Sequence, residues 1–315
     1  MEISFSIIIP LYNKAPYIER AINSVLNQSL QNFEIIVVND GSSDGGEKIV
    51  TKIVDERLKL VSQKNAGVSA ARNKGAKAAK YPYIAFLDGD DTWEKDFLLE
   101  MKNLILEYPD AGMYGSNNYF IYPGGKKVKE DFSTLFEGKK TGIIKDYFGL
   151  FANIGKSPFS NSNICIPKKV YDEFNGYKVG VRLTEDSDLW CRIALKYKVA
   201  FNIIPLANYY LALSGSTHSI FEPEEYQVAK SLKLAIENNL VPIELLKSAR
   251  KLIVFQKMSL VKRALIVGNK KFAMSQIFDK EIILHYPKEF FECLILLILP
   301  LELINKIRLL KHQKN

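Results

Sequence analysis

Several signatures of common protein classes are missing from this chain of 315 residues. Its three cysteines, Cys165, Cys191 and Cys293, lie far apart and form no CxxC pair, which argues against a disulfide scaffold and a structural zinc site. The chain has no low-complexity tract and no internal repeat, which excludes fibrous and solenoid architectures. These absences favour a globular protein of a reducing compartment.

Long uninterrupted apolar runs are also missing. The most apolar segment, residues 290–310 (FFECLILLILPLELINKIRLL), contains Glu292, Glu302 and Lys306. Its apolar stretch at 293–301 has nine residues, whereas a membrane-spanning helix needs about 20. The first residues, MEISFSIIIPLYNK, lack the basic start and cleavage site of a secretion signal. We therefore expect a first strand here, no membrane-spanning helix and a cytoplasmic location.

The net charge of +8 is concentrated in the C-terminal part, where residues 241–315 hold fourteen Lys and Arg against six Asp and Glu. These cations alternate with aliphatic rather than stacking aromatic side chains, which disfavours nucleic acid as a partner. Two interpretations stay open for residues 290–315. One is a peripheral amphipathic anchor at the anionic inner face of the cell membrane. The other is a helix that packs on the protein or on a second subunit and so forms a dimerisation element.

Strand and helix patterns alternate through the first hundred residues. Strand patterns lie at 4–10, 33–38, 58–62 and 83–87, and helical patterns at 15–28, 46–55 and 68–80. This alternation predicts an α/β fold with a mostly parallel central sheet flanked by helices. Residues 103–155 are less regular, and beyond residue 219 the pattern is purely helical. We place a domain boundary near residue 220, followed by a helical region at 221–315.

Polar residues follow three of these strands, at 10–13 (PLYN), 39–44 (NDGSSD) and 88–91 (DGDD). In parallel α/β sheets the ligand crevice lies beyond the carboxyl ends of the strands. The three segments should therefore meet along one rim, which is the predicted binding site.

The DGDD segment places three carboxylates within four residues. Like charges this close raise one another's pKa, so a neutralising partner is expected. An acidic turn at a helix N-terminus is one explanation. An EF-hand loop is excluded, because its required glycine and glutamate positions hold Trp93 and Leu99.

Two chemical interpretations of the segment remain. Residues 88–92 (DGDDT) match the Asp-x-Asp-x-Thr motif of haloacid dehalogenase-like phosphatases, although that motif normally follows the first strand and here follows the fourth. The other interpretation is a diphosphate site bridged by Mg²⁺ or Mn²⁺, which take few carboxylates plus phosphate oxygens. At the same rim, Asp40 either accepts the imide hydrogen of a uracil or belongs to an Asx-turn.

Five motifs resemble, in order, those of family 2 glycosyltransferases. They are IIIPLYNK (7–14), VVNDGSSD (37–44), NAGVSAARNKG (65–75), FLDGDD (86–91) and EDSDLWCR (185–192), and the resemblance covers residues 3–218. It implies the GT-A fold, a Rossmann-like α/β architecture, with a catalytic domain at 1–220 and the helical extension at 221–315. Within that domain it implies a nucleotide-binding half at 1–100 and an acceptor half at 101–220.

The resemblance also implies roles for individual residues. The implied contacts to a UDP-sugar donor are Pro10 and Tyr12 at the nucleobase, Asp40 at uracil, Asn65, Gly67 and Arg72 at the pocket wall and nucleotide, Asp88 and Gly89 at the ribose or sugar side, and Asp90 through Mn²⁺ or Mg²⁺ at the diphosphate. Asp186 is the implied general base, and Glu185 and Trp190 are predicted on the acceptor side. Relatives often have Tyr-Arg-x-His after the last strand, whereas this chain reads YYLALSGSTH at 209–218, so His218 is expected to supply the imidazole as a metal ligand or diphosphate contact.

The sequence thus predicts a metal-dependent, inverting glycosyltransferase. Its acceptor would be a saccharide or lipid-linked saccharide in bacterial surface polysaccharide assembly, contacted by loops such as residues 117–141. A nucleotide-sugar-binding scaffold without turnover is the main alternative, and a phosphatase is a more remote one.

Overall fold

The structure is a computed structural model that describes residues 3–211, 221–301 and 303. These residues divide into two compact units. The first contains the described residues up to Tyr147 and those from Ser157 to Leu211, and the second contains Phe148–Lys156 and the described residues from Phe221 onward. The second unit therefore includes a segment that lies within the predicted catalytic domain.

Strands and helices alternate through the first hundred residues, as the sequence pattern predicts. The elements are β1 (Phe5–Leu11), α1 (Ala15–Leu26), β2 (Phe33–Asn39), α2 (Gly46–Val50), β3 (Leu58–Ser62), α3 (Val68–Ala78) and β4 (Tyr83–Phe86). Helix α2 is shorter than the predicted 46–55. Val54, which the longer helix would include, is 98% exposed, so no core contact favours extending the helix that far.

The central strands are covered on both faces. Strands β1 and β2 are buried along their whole length, which is typical of parallel sheets with helices on either side. Ile7 and Ile9 of β1 share a core cluster with Ile18 of α1. On the opposite face, a Cβ added to Gly75 of α3 would lie only 2.4 Å from Cγ2 of Ile8. The alternation of β1 side chains therefore directs successive isoleucines towards two different helices.

The rest of the first unit adds shorter elements and two long strands. They are β5 (Thr92–Trp93), α4 (Phe97–Glu107), β6 (Ala111–Ile121), β7 (Lys127–Lys129), β8 (Thr141–Ile143), α5 (Tyr147–Ile154), which continues into the second unit, β9 (Ile164–Pro167), α6 (Lys168–Glu173), α7 (Glu185–Ala194) and β10 (Lys198–Tyr210). The sequence pattern missed β6, because Ser116, Asn117 and Asn118 in its middle are polar yet buried. Asn117 Nδ2 donates to the carbonyl of Glu130 at 2.9 Å, a contact that only the folded chain provides.

Ten strands of the described residues form one sheet in the order β3-β2-β1-β4-β9-β6-β10-β5, with β7 paired to β6 and β8 to β10. The pairs β1/β2, β2/β3, β1/β4 and β6/β10 are parallel, and β9 runs antiparallel between β4 and β6. Because β1, β2 and β4 are parallel neighbours, the segments that follow them leave the sheet at the same edge. The structure therefore brings the three polar segments to one rim.

The second unit is helical. Beyond its part of α5 it contains α8 (Gln227–Glu237), α9 (Leu246–Ile266), α10 (Lys270–Ile277), α11 (Lys280–His285) and α12 (Pro287–Ile298). Its core forms around Val261, Leu265 and Ile277, with Phe290 and Cys293 from α12. In the described part of the chain, no helix combines the length and apolar character needed to cross a bilayer.

Candidate active site

The loops after β1 and β2 are tied together at the rim. Asn13 has left-handed backbone angles with φ at 51°, and its Oδ1 accepts a hydrogen bond from the backbone N–H of Ser43 at 2.9 Å. Of the two residues predicted at the nucleobase, Tyr12 is half-exposed and Pro10 is buried. Tyr12 thus presents a ring at the rim, whereas Pro10 shapes the rim from within β1.

Asp40 organises the loop that leads into α3. Its Oδ1 accepts hydrogen bonds from Gln63 Nε2 at 2.7 Å and from the N–H of Ala66 at 2.9 Å, and its Oδ2 accepts one from the N–H of Gly67 at 2.9 Å. Gly67 has φ at 89°, a conformation that glycine adopts without strain. A carboxylate has about four lone-pair positions, so these three bonds leave Asp40 capacity for one further donor. Asn65 is exposed in the same loop.

The DGDD turn packs against the end of β1. The N–H of Asp91 donates to the carbonyl of Asp88 at 3.0 Å, which closes the turn. A Cβ added to Gly89 would lie 3.1 Å from the carbonyl oxygen of Pro10. The glycine therefore allows the turn to lie close to the β1 backbone.

Two of the three carboxylates pair with cations. Asp88 Oδ1 lies 2.7 Å from Arg72 Nη2, and Asp90 Oδ2 lies 2.5 Å from Lys14 Nζ. The side chains of Asp88 and Asp90 remain 25% and 20% exposed. Their mutual repulsion is thus relieved by α3 and by the start of α1, while both carboxylates stay accessible.

The third carboxylate, Asp91, is buried. Its Oδ2 accepts a hydrogen bond from Ser162 Oγ at 2.5 Å, and its Oδ1 accepts one from the N–H of Tyr210 at 3.0 Å. Burial raises the pKa of Asp91 well above its usual range, and the charges of Asp88 and Asp90 act in the same direction. Asp91 therefore joins the turn to the end of β10.

Arg72 connects the DGDD turn to α7. Its side chain is only 4% exposed, and Nη1 lies 3.3 Å from Glu185 Oε1 while Nη2 contacts Asp88. Arg72, predicted at the nucleotide, thus pairs with two carboxylates in the structure. The guanidinium carbon is also 5.2 Å from the centre of the Tyr177 ring.

Glu185 and Asp186 begin α7, directly after a strained residue. Thr184 has φ at 63°, which is unusual for a β-branched residue and is often found at functional sites. Burial raises the pKa of Glu185 to about 7, with the charge of Asp186 adding to the effect. Burial likewise raises the pKa of Asp186, against the hydrogen bonds from Ser187 that lower it.

Two other predictions for this region have different outcomes. Trp190 is fully buried, with its ring 5.8 Å from that of Tyr177, so the structure gives it no surface for the predicted acceptor contact. His218 lies outside the described residues. Asp188 is also fully buried and pairs with Arg192 at 2.8 Å, which makes it part of the helix packing.

The sequence reasoning missed Lys14, Ser162 and Tyr177. Lys14 carried a usable signal, because it stands at the N-cap of α1, where the helix dipole disfavours a cation unless an anion pairs with it. Ser162 and Tyr177 carried none, since their importance comes from contacts with residues far away in the chain.

The donor set at the rim fits a divalent ion of the magnesium type. Within residues 3–211, 221–301 and 303, no cluster of three or more His, Cys, Asp or Glu side chains is arranged to hold a metal. Mg²⁺, however, is usually bound by one or two carboxylates together with substrate phosphates and waters. The accessible Asp90 carboxylate meets that requirement.

A doubly covered, mostly parallel sheet with a polar rim at the ends of β1, β2 and β4 defines the GT-A class of fold, as predicted. The sequence model of glycosyl transferase family 2 matches residues 6–164, so the chain belongs to this family. The crystal structure of S. aureus TarS 1–349 in complex with UDP-GlcNAc superposes with a TM-score of 0.65 at 18% identity, over 92% of this chain and 81% of that one.

Curated relatives match over shorter stretches. The uncharacterised glycosyltransferase RC0461 of Rickettsia conorii is 32% identical over 224 residues, which is 71% of this chain and 35% of that protein. TuaG of Bacillus subtilis, named as a candidate teichuronic acid biosynthesis glycosyltransferase, is 42% identical over 105 residues, which is 32% of this chain and 42% of that protein. The matched stretches thus span less than half the length of these relatives.

Proposed function

We propose that this chain is a metal-dependent, inverting glycosyltransferase that moves a sugar from a UDP-sugar to an acceptor hydroxyl. The observation that carries the proposal is the buried Arg72 side chain, which contacts Asp88 in the donor turn and Glu185 at the start of α7. One cation thereby holds the donor carboxylate and the base-bearing helix in a fixed relation. Fixed relative placement of the reacting groups is a large part of the catalysis of group transfer.

The donor would bind along the rim. Tyr12 would contact the base beside Pro10, and Asp40 would use its remaining lone pair to accept the imide hydrogen of uracil. Asn65 and Gly67 would form the adjacent wall, since the Asp40 hydrogen bonds hold that loop in place. Asp88 and Gly89 would lie at the ribose and sugar side, and Asp90 at the diphosphate.

Asp186 is the proposed general base. Both of its hydrogen bonds within the described residues end on Oδ1, from the N–H and hydroxyl of Ser187, which leaves Oδ2 to take the proton of an acceptor hydroxyl. Glu185 is held by Arg72 and supports the acceptor side without being the base. A raised pKa suits a base, because a carboxylate of low pKa takes up protons poorly.

The reaction would be a single in-line displacement. The acceptor oxygen forms a bond to the anomeric carbon, the bond from that carbon to the UDP oxygen breaks, and the acceptor proton goes to Asp186. A divalent ion held by Asp90 would, when bound, neutralise the charge on the departing diphosphate.

A binding and turnover assay tests this proposal. Calorimetry with UDP should show binding that tightens with Mn²⁺, and a panel of UDP-sugars should include one from which the protein releases UDP. If the protein binds UDP but neither releases UDP from any donor in the panel nor transfers its sugar, the scaffold alternative is favoured. If UDP binds neither with nor without Mn²⁺, the proposed donor site is contradicted.

The acceptor is proposed to be a saccharide, free or lipid-linked, in bacterial polysaccharide synthesis. The name of TuaG supports this pathway class. The second unit supports peripheral attachment to the inner membrane face, because α12 exposes Phe291, Ile295 and Ile298 at helical spacing and Lys288 lies one turn before them. Apolar side chains flanked by cations suit an anionic lipid surface. Association of two chains through the same helix face is the alternative.

A further inference from the structure

Lys14 occupies a position that helix stability alone does not explain. It is the N-cap residue of α1, but its own side chain does not cap that helix end. The backbone N–H of Ala15 donates instead to Asp44 Oδ2 at 2.7 Å. The positive end of the helix dipole disfavours a cation there. The Lys14 ammonium group instead lies 2.5 Å from Asp90 Oδ2, with the two side chains 19% and 20% exposed. Lys14 thus pairs with the carboxylate proposed for the divalent ion.

Asp90 keeps its position through contacts that do not involve Lys14. Arg20 Nη2 donates to the backbone carbonyl of Asp90 at 2.6 Å, and the Arg20 guanidinium carbon lies 3.6 Å from the centre of the Tyr210 ring. The neighbouring Asp91 is anchored by Ser162 and Tyr210. Loss of the lysine would therefore leave the backbone of Asp90 in place.

Lys14 can move its charge without moving its backbone. Its carbonyl accepts hydrogen bonds from the N–H groups of Tyr17 and Ile18, both at 3.0 Å, which fixes the main chain in the first turn of α1. The ammonium group stands on a flexible four-carbon stem. It can therefore leave Asp90 for a nearby anion while α1 stays unchanged.

We propose that Lys14 is a tethered counter-ion. Its ammonium group pairs with the Asp90 carboxylate in the free protein and releases that carboxylate when the metal binds together with the diphosphate. A metal ion alone must displace the ammonium from Asp90 without providing it with a new partner. A nucleoside diphosphate adds phosphate ligands for the metal and an anion for the displaced ammonium. Metal and nucleotide then bind with positive coupling, which must be equal in both directions. This inference rests on the proposed metal role of Asp90.

Mn²⁺ binding tests the inference without measuring turnover. The free Mn²⁺ signal in electron paramagnetic resonance would be titrated with the full chain, with and without UDP, for the unsubstituted protein and for Lys14→Met and Lys14→Arg. Lys77→Met is the matched control, because Lys77 is exposed on α3 in the same unit. Thermal unfolding of each variant would verify folding.

We expect Lys14→Met to bind Mn²⁺ alone about tenfold more tightly than the unsubstituted protein, within the usual range of coupling between sites. Lys14→Arg, which keeps the cation, and Lys77→Met should resemble the unsubstituted protein. If Lys14→Met and the unsubstituted protein bind Mn²⁺ with equal affinity, and UDP still tightens Mn²⁺ binding, the role of Lys14 is overturned. The metal role of Asp90 would then stand. Absence of Mn²⁺ binding in every variant, even with UDP, would overturn this inference and the metal role of Asp90, while calorimetry with UDP alone would still report on the donor site.

Discussion

Arg72 Nη2 lies 2.7 Å from Asp88 Oδ1, and this contact joins α3 to the turn after β4. The guanidinium is almost fully buried and also contacts Glu185. A buried cation shared by two carboxylates relieves their repulsion and fixes their separation. The integrity of the site should therefore depend on a residue that offers no surface to a ligand.

Replacement of Arg72 by Met should destabilise the fold as well as the site. Removing one partner of a buried ion pair leaves the other charges uncompensated, which costs about 3 kcal/mol. Urea unfolding should show this loss, whereas Arg57→Met, which removes a more exposed arginine paired with Asp55, should cost less than about 1 kcal/mol. An unfolding midpoint of Arg72→Met equal to that of the unsubstituted protein would refute the bracing role.

Replacement of Asp186 by Asn should separate binding from transfer. The amide keeps the size of the side chain but cannot take up the acceptor proton, so the transfer rate should fall about 10²- to 10⁴-fold. UDP affinity, measured by calorimetry, should stay within about twofold of the original. Asp188→Asn is the matched comparison, because this buried residue pairs with Arg192 and its loss should lower stability first. Retained turnover in Asp186→Asn would exclude it as the base.

The raised pKa of Glu185 predicts a pH dependence of stability. The unfolded chain releases this proton near the ordinary value of 4.5, whereas the folded protein retains it to about 7. Between these values the folded state binds more protons, so the contribution of Glu185 to stability falls as the pH rises. The amide side chain of Glu185→Gln cannot titrate. As the pH rises through this window, the unfolding free energy of Glu185→Gln should therefore increase relative to that of the unsubstituted protein.

Glu19→Gln supplies the control for this measurement, because it removes one exposed carboxyl from α1. A constant difference between Glu185→Gln and the unsubstituted protein from about pH 4.5 to 7 would contradict the prediction.

The exposed face of α12 predicts binding to anionic vesicles. A triple variant, Phe291→Ser, Ile295→Ser and Ile298→Ser, should float with phosphatidylglycerol vesicles about tenfold less than the unsubstituted chain, because it removes the apolar contact area. Leu234→Ser, Leu240→Ser and Ile243→Ser remove exposed apolar side chains elsewhere in the second unit and should float normally. Unchanged flotation of the α12 variant would exclude this face as a vesicle-binding surface. If the unsubstituted chain sediments as a dimer and the α12 variant does not, the face is assigned to self-association.

Much of the fold was predictable because its signals are local. The isoleucines of β1 and the apolar spacing of α1 identify their elements from neighbouring residues alone. The buried polar strand β6 was not predictable in this way, since its asparagines are stable there only through partners such as Glu130. The length of α2 likewise depended on whether Val54 meets a core.

The candidate site likewise has features that local sequence predicts and features that depend on tertiary contacts. The sequence by itself determined that the carboxylates at positions 40, 88 and 90 follow apolar strands and that Asp186 stands at the start of a helix, because those patterns are local. Only the tertiary structure decided which cation meets which carboxylate. Lys14 and Asp90 are 76 residues apart, and Arg72 and Glu185 are 113 apart. Charge pairing and burial depend on distances between packed elements, and those distances exist only once the sheet has formed.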